Sequence, residues 1–73
     1  MTPEELVVRF TYHPPVTDDQ KLFYEDYRKK LYAVADYLTF VLPESRELSL
    51  AITALEEACF WGNACAARRG TKP

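Results

Sequence analysis

The segment Pro43–Arg69 constrains the fold more than any other part of this sequence. It opens with a proline and then Ser45, a residue type that favours the N-cap of a helix. No further proline occurs before Gly70, a residue that suits a helix C-terminus. The segment therefore predicts one long helix over residues 45–69, which the rest of the chain must cover.

Spacings of three and four residues place two lines of side chains on this predicted helix. The first line is apolar and consists of Leu48, Ile52, Leu55, Cys59 and Ala66. The second consists of Glu57, Trp61, Ala64 and Arg68. Because the second line combines a carboxylate, an indole and a guanidinium, we interpret it as a candidate edge of a binding site.

The preceding part of the chain predicts a second helix over residues 18–41. Thr17 and Gln20 have the spacing of a capping box, and Pro43 ends the segment. Apolar residues form a seam with heptad-like spacing, namely Tyr24, Tyr27, Leu31, Val34, Leu38 and Val41. Two long helices separated by so few residues must fold back as an antiparallel hairpin.

Residues 1–16 are expected to form a short arm or helix beside the hairpin. Thr2 and Pro3 suit the N-cap and the first helical position, although the bulky residues that follow are also compatible with an extended strand-like segment. Pro14 and Pro15 favour an extended end to the arm. This end would present Arg9, Tyr12 and His13. An alternative is that the aromatic side chains of Phe10 and Tyr12 pack on the helices as a staple.

The composition indicates a single all-α domain, residues 1–73, that self-associates. A chain of 73 residues has room for one small core, yet 48% of its residues are hydrophobic and 14% aromatic. Several large side chains fall outside the hairpin seam, namely Tyr32, Tyr37, Phe40 and Phe60. We therefore expect a homo-oligomer of hairpins. The net charge of −2 argues against a duplex nucleic acid partner.

Other functional classes find little support in the sequence. A single histidine and the lack of a recognisable triad, phosphate loop or metal-ligand spacing lead us to expect no catalytic residues, no metal and no cofactor. Cys59 and Cys65 lie six residues apart, too far along a helix for a disulfide, and we interpret them as packed free thiols. No stretch approaches the ~20 apolar residues of a membrane span, so we expect a protein of the cytoplasm.

Recognition of an anionic, aromatic ligand has better support. Arg28, Lys29 and Lys30 form one basic cluster, and Arg68 and Arg69 form another. Arginine offers paired donors to phosphate. Aromatic faces such as those of Tyr12 and Trp61 can stack on bases, a contact worth about 1–3 kcal/mol per base. These residue types suit a nucleotide.

Two motifs resemble those of the small phage sponge proteins of the anti-CBASS and Thoeris anti-defence hairpin family. The first is FTYHPP at Phe10–Pro15, followed by Gln20 and Tyr24. The second begins at Pro43 and reads P-x-SRE-x-SLAIT-x-LEEA, followed by Trp61, Asn63, Ala64, Ala67 and Arg68. The resemblance covers roughly residues 9–69. The sequence departs from the family pattern at Cys59, Phe60, Gly62 and Cys65.

The resemblance implies a helical hairpin that assembles into a compact hexamer in the host cytoplasm. It also implies that the protein sequesters cyclic oligonucleotide messengers, cyclic di- or trinucleotides, without cleaving them. Ligands would lie between protomers, with Tyr12 stacked on a base and helix cations near phosphates. The ligand-binding residues implied in this way are Tyr12, His13, Arg28, Lys30, Trp61, Asn63 and Arg68.

Two other functional classes compete with this interpretation. A helical protein-interaction module, similar to an antitoxin and without a small ligand, would also explain the exposed apolar faces. A hydrolase that degrades the messenger is disfavoured because no catalytic base, nucleophile or metal set is recognisable. Recovery of an intact ligand from the protein distinguishes a sponge from both.

Overall fold

The computed structural model describes residues 2–14 and 17–73 and has three helices in this part of the chain. They are α1 (Pro3–Phe10), α2 (Asp18–Val41) and α3 (Arg46–Arg69). The described residues contain no strand, so the prediction of an all-α fold is confirmed. The predicted arm 1–16 is helical over α1, and its expected extended end includes Pro15, which lies outside the described residues.

The two long helices begin and end at the signals that the sequence carries. Thr17 and Gln20 form the predicted capping box, in which the Gln20 N–H donates to Thr17 Oγ1 at 3.1 Å and the Thr17 N–H donates to Gln20 Oε1 at 3.3 Å. Ser45 accepts a hydrogen bond from the Leu48 N–H at 3.1 Å and is the N-cap of α3, which therefore begins one residue later than predicted. Gly70 ends α3 with φ of +79°.

Helices α2 and α3 pack as the predicted antiparallel hairpin. Near the start of α2, Gln20 Nε2 donates to the Ala66 carbonyl at 3.1 Å. Further along α2, Tyr27 Oη donates to the Ala58 carbonyl at 2.5 Å. The partners in α3 move towards its N-terminus as α2 advances, which is the antiparallel direction.

Gly62 has a packing role in the hairpin. A Cβ atom placed on Gly62 would lie 2.6 Å from both Cζ and Oη of Tyr27. The Tyr27 ring therefore occupies the space of the missing side chain, and it also stacks on Phe23 with ring centroids 5.0 Å apart. Glycine lowers helix propensity by up to ~1 kcal/mol relative to alanine, but here it allows an aromatic ring to approach the α3 backbone.

The apolar line predicted on α3 faces α2. Leu48 and Ala66 are buried, and they are the two buried hydrophobic residues in the described chain. The intervening members of the line, Ile52, Leu55 and Cys59, are half-buried. The prediction of this face is confirmed, but the single hairpin encloses a very small core.

The heptad-like seam predicted on α2 is wrong at two positions. Val34 is 44% exposed and Val41 48% exposed, whereas Tyr27 is half-buried. These residues lie seven apart, and a straight α-helix drifts about 20° per heptad relative to an exact seven-residue repeat. The drift carries Val34 and Val41 away from α3, and Ala35 lies in the interface instead.

Large apolar side chains remain exposed outside the hairpin interface, as the sequence predicts. Phe40 is 88% exposed, Tyr32 72%, and Tyr37 and Phe60 63% each. Such a concentration on a chain of this size is typical of surfaces that another molecule covers. Among the described residues, none of the helices combines the length and the apolar character needed to cross a membrane.

Candidate ligand-binding site

Helix α1 is fastened to the C-terminal end of α3 by two arginines. Arg69 Nη2 contacts both carboxylate oxygens of Glu5, at 2.9 and 3.0 Å. Arg68 Nη2 donates to the Arg9 carbonyl at 3.2 Å. Glu5 also accepts from Arg9 Nε at 3.4 Å within the same helix. The contacts of Arg68 and Arg69 join residues about sixty positions apart in the sequence, and they place the end of α1 beside Trp61.

A groove of about 390 Å³ lies between α1 and α3 at this end of the molecule. It is lined by Glu5, Arg9, Phe10, Trp61 and Arg68. Trp61 is 67% exposed and Phe10 84% exposed, so their ring faces are accessible in the single chain. The groove thus combines two aromatic rings with two guanidinium groups and one carboxylate.

The carboxylate in this groove is already paired with cations. The hydrogen bond from Arg69 is the main reason why the pKa of Glu5 lies below its usual value, and Arg9 lowers the pKa further. Glu5 therefore stays ionised and neutralises part of the local positive charge. Glu5 pairs with Arg69 and with the Nε atom of Arg9. Arg68 uses one guanidinium nitrogen for the Arg9 carbonyl. Because an arginine carries five N–H donors, most of the Arg68 guanidinium remains available for another contact.

Tyr12 and His13 follow α1 and differ in their environment. Tyr12 is 83% exposed. His13 is half-buried, and its Nε2 atom donates to the Val8 carbonyl at 2.8 Å. The alternative in which Phe10 and Tyr12 act as a staple on the helices does not hold within the described chain, because both rings are exposed. The role of Tyr12 as a stacking residue stays a prediction.

The remaining predicted site residues lie outside the groove between α1 and α3. Arg28 lines a mostly apolar groove of about 220 Å³ between α2 and α3, which also includes Tyr32 and Glu56. Lys30 forms an ion pair of 2.8 Å with Asp26, one helical turn away, in which both side chains are largely exposed. The basic cluster on α2 is therefore divided between different faces of the helix.

Asn63 has an unusual polar environment. Its Nδ2 donates to Cys59 Sγ at 3.6 Å, whereas its Oδ1 is buried and has no hydrogen-bond partner within residues 2–14 and 17–73. A buried acceptor without a partner costs free energy. Asn63 is therefore the predicted site residue with the clearest unmet hydrogen-bonding capacity.

The structure brings together part of the predicted set and adds two residues to it. Trp61 and Arg68 share one groove, as the second line on α3 suggests. Arg9 and Phe10 join them there, although the prediction of binding residues omitted both. The available signal was their position two and three residues before Tyr12, but the sequence alone does not show that α1 docks on the end of α3.

The described residues contain no metal-binding cluster and no disulfide. No group of three or more histidine, cysteine or acidic side chains converges among residues 2–14 and 17–73. Cys59 and Cys65 are free thiols, half-buried and exposed respectively. The expectation that both thiols are packed is therefore wrong for Cys65. The interpretation of Cys59 as a packing residue agrees with its place in the groove beside Arg28.

The fold and the groove define a small helical-hairpin domain with an aromatic and cationic surface at one end. The chain belongs to the Acb2/Tad1 hairpin-domain family, whose family model matches residues 2–67, and this is the family of anti-CBASS and anti-Thoeris sponges. No curated protein and no solved structure gave a significant match. The resemblance inferred from the two sequence motifs is thus confirmed at the level of the family.

Proposed function

We propose that this protein is an anti-defence sponge that binds cyclic di- or trinucleotides inside the host cell and holds them without cleaving them. The observation that carries the proposal is the convergence of Trp61, Phe10, Arg9 and Arg68 on one groove. The exposed Tyr12 follows Phe10 by two positions in the sequence. Membership of the Acb2/Tad1 family supports an anti-defence role. The groove supports a nucleotide as the ligand.

The chemistry of the groove matches the two parts of a nucleotide. Aromatic rings stack on bases without regard to sequence and contribute about 1–3 kcal/mol per base. Guanidinium groups bind phosphate oxygens through paired donors. With a net charge of −2, the protein has little general attraction for long polyanions. A small ligand with a few phosphates is therefore favoured over a duplex.

In this proposal, a complete site is formed by more than one copy of the chain. Arg28 and Arg68 line different grooves, and Lys30 lies on another face of α2. We propose that a second protomer brings α2 cations to the aromatic groove of the first, in a homo-oligomer that the sequence resemblance suggests is a hexamer. The exposed aromatic residues on α2 are available to form the contacts between protomers.

In this proposal, the ligand contacts come from five types of side chain that share three roles. Tyr12 and Trp61 stack on bases, whereas Arg28, Lys30 and Arg68 neutralise phosphates. A contact from the Asn63 side chain would require its Oδ1 atom, which is buried in the single chain, to become accessible when the ligand binds. A preformed macrocycle loses little conformational freedom on binding, which favours its capture by a rigid surface.

The proposal is tested by uptake and recovery. The protein is mixed with cyclic di-AMP or a cyclic trinucleotide, separated from free ligand, and heated to release what it holds. Recovery of the intact ligand supports a sponge. Recovery of a linear product indicates a hydrolase, and no uptake of any cyclic nucleotide indicates the protein-interaction module.

The stacking role of Tyr12 is tested by matched variants. Tyr12→Ala is expected to weaken binding about ten- to hundredfold because one stacking contact is lost. Tyr12→Phe should retain most of the affinity. The oligomeric state and the thermal midpoint should change little, because the Tyr12 ring is 83% exposed. If Tyr12→Ala dissociates the oligomer while Trp61→Ala abolishes binding in an intact one, Trp61 is the stacking residue instead.

A further inference from the structure

The turn that follows α1 is closed by the His13 side chain. In a helix that continued, the Val8 carbonyl would accept from the N–H of residue 12. The helix ends at Phe10, and His13 is held out of the helical region by the proline that follows it. His13 Nε2 donates to the Val8 carbonyl at 2.8 Å and so replaces the missing backbone donor.

Three consecutive carbonyls at the end of α1 have partners of three different kinds. The Val7 carbonyl accepts from the backbone N–H of Thr11 at 3.0 Å, and the Val8 carbonyl accepts from His13. The Arg9 carbonyl accepts from Arg68 at 3.2 Å. Carbonyls in the last turn of a helix normally lack intrahelical partners, so this end of α1 is unusually well fixed.

Tyr12 lies inside the loop that the His13 hydrogen bond closes. Its backbone is flanked by Thr11, which is bonded to α1 through its N–H, and by His13, which is bonded to α1 through its ring. The Tyr12 ring itself is 83% exposed. The local structure therefore restrains the backbone on both sides of a side chain that is left accessible.

We infer that His13 is a positioning residue for Tyr12 and does not itself contact the ligand through Nε2. The inference rests on the proposed function, in which Tyr12 stacks on a base. A ring carried on a restrained backbone loses less freedom when it binds than one on a mobile arm. A phosphate contact from His13 Nε2 would require the hydrogen bond to Val8 to break, which would release the backbone that carries Tyr12.

Two substitutions of His13 by side chains of similar length distinguish the effect of the hydrogen bond from the effect of side-chain size. In His13→Gln, the amide nitrogen retains a donor near the position of Nε2, whereas His13→Met has none. With cyclic di-AMP as the probe in calorimetry, His13→Met is expected to bind about three- to tenfold more weakly than the native protein, as expected for about one side chain that must be immobilised on binding. His13→Gln should recover most of that loss.

A double-mutant cycle shows whether His13 acts through Tyr12. In the Tyr12→Ala background, His13→Met should cause no further loss of affinity, because the ring that it positions is absent. Independent contacts with the ligand would instead give additive losses. Additive losses, or a His13→Met variant with native affinity, would overturn the inference.

A measurement without ligand keeps this inference separate from the proposed function. NMR order parameters of the Thr11 and Tyr12 amides should fall in His13→Met and be retained in His13→Gln, with α2 and α3 unchanged in all three proteins. If the native protein binds no cyclic nucleotide, the proposed function is wrong, and the order parameters alone decide the role of His13. Equal order parameters in all three proteins would overturn the inference even if the native protein binds.

Discussion

The two ends of the hairpin are built in different ways. Where α2 begins and α3 ends, a polar side chain joins the two helices, since Gln20 is buried and bonded to the Ala66 carbonyl. A second bond of this kind, from Tyr27 to Ala58, lies near the middle of both helices. At the opposite end, where α2 passes into α3, Leu48 is the buried apolar residue, while Phe40 is 88% exposed and Leu50 57% exposed.

Polar contacts, and not apolar burial, distinguish the first end, because they determine how the helices align. Hydrogen bonds to individual backbone carbonyls fix the register of α2 on α3 and the position of α1, because a slip of one residue would leave buried polar groups unpaired. The candidate groove lies at this fixed end. Both ends expose apolar side chains, and we propose that those near the connection, among them Phe40, gain their partners by self-association.

The largest loss of stability is expected from a substitution that fills the space at Gly62. Gly62→Leu would place a side chain where the Tyr27 ring lies, so we expect a loss of about 3 kcal/mol in the free energy of unfolding, the upper part of the usual range for overpacking. The better helix propensity of leucine offsets up to ~1 kcal/mol of the steric cost. Urea denaturation followed by circular dichroism measures the change.

A neighbouring position provides the control for Gly62. Cys65→Leu introduces the same side chain on the same helix at an exposed site, and it should change stability by less than about 0.5 kcal/mol. Tyr27→Ala should restore part of the stability lost in Gly62→Leu, since it removes the ring that clashes. Equal effects of Gly62→Leu and Cys65→Leu would show that the contact with Tyr27 does not hold the hairpin together.

The helices could be predicted because their ends depend on local signals. Thr17 with Gln20, Ser45 and Gly70 each fix a helix terminus through contacts with residues a few positions away. Sequence periodicity also predicted which face of α3, from Leu48 to Ala66, packs on α2. It failed at Val34 and Val41, because a seven-residue spacing does not match the period of a straight helix.

The candidate site was harder to predict because it depends on distant contacts. Trp61 and Arg68 belong to one line of α3, so their proximity follows from helical spacing. The docking of α1 depends on Arg68 with Arg9 and on Arg69 with Glu5, pairs whose sequence separation leaves no periodic signal. The sequence also suggested His13 as a ligand contact but did not show its hydrogen bond to Val8, a local contact that depends on where α1 ends.

Phe40→Ser probes the end of the hairpin near the connection. If self-association buries this ring, its removal should raise the dissociation constant of the oligomer at least about tenfold, because a buried phenylalanine contributes roughly 1.5–3 kcal/mol. Stability of the dissociated chain should change by less than about 0.5 kcal/mol, as Phe40 is 88% exposed. Light scattering over a range of concentrations measures the oligomer.

Leu22→Ser provides the matching variant at the other end of α2. Leu22 is 63% exposed and lies near the start of the helix. If the end near the connection supplies the contacts between protomers, Leu22→Ser should affect association less than Phe40→Ser. The reverse order would mean that contacts at the end that carries the candidate groove contribute more to association than Phe40 does. A native protein that is monomeric at micromolar concentration would contradict self-association altogether.

The smallest expected effect concerns pH and the docking of α1. Arg69, with a smaller contribution from Arg9, lowers the pKa of Glu5 below its usual value of 4.5. A carboxyl group whose pKa is lower in the docked state stabilises that state above pH 4.5. This contribution disappears as the pH falls through the lowered pKa, because protonated Glu5 no longer pairs with Arg69. Exposure of both side chains to water keeps the effect small, with relative accessibilities of 33% for Glu5 and 54% for Arg69.

The single tryptophan reports this change, because Trp61 lines the same groove as Glu5. Its fluorescence should shift as the pH is lowered from about pH 6 to about pH 3, while the helical circular dichroism of α2 and α3 changes little. Glu5→Gln removes the titrating group and should abolish the part of the shift that Glu5 causes. An identical transition in Glu5→Gln would assign the signal to another carboxyl group, and simultaneous loss of all helical signal would mean that docking of α1 and folding of the hairpin are one cooperative event.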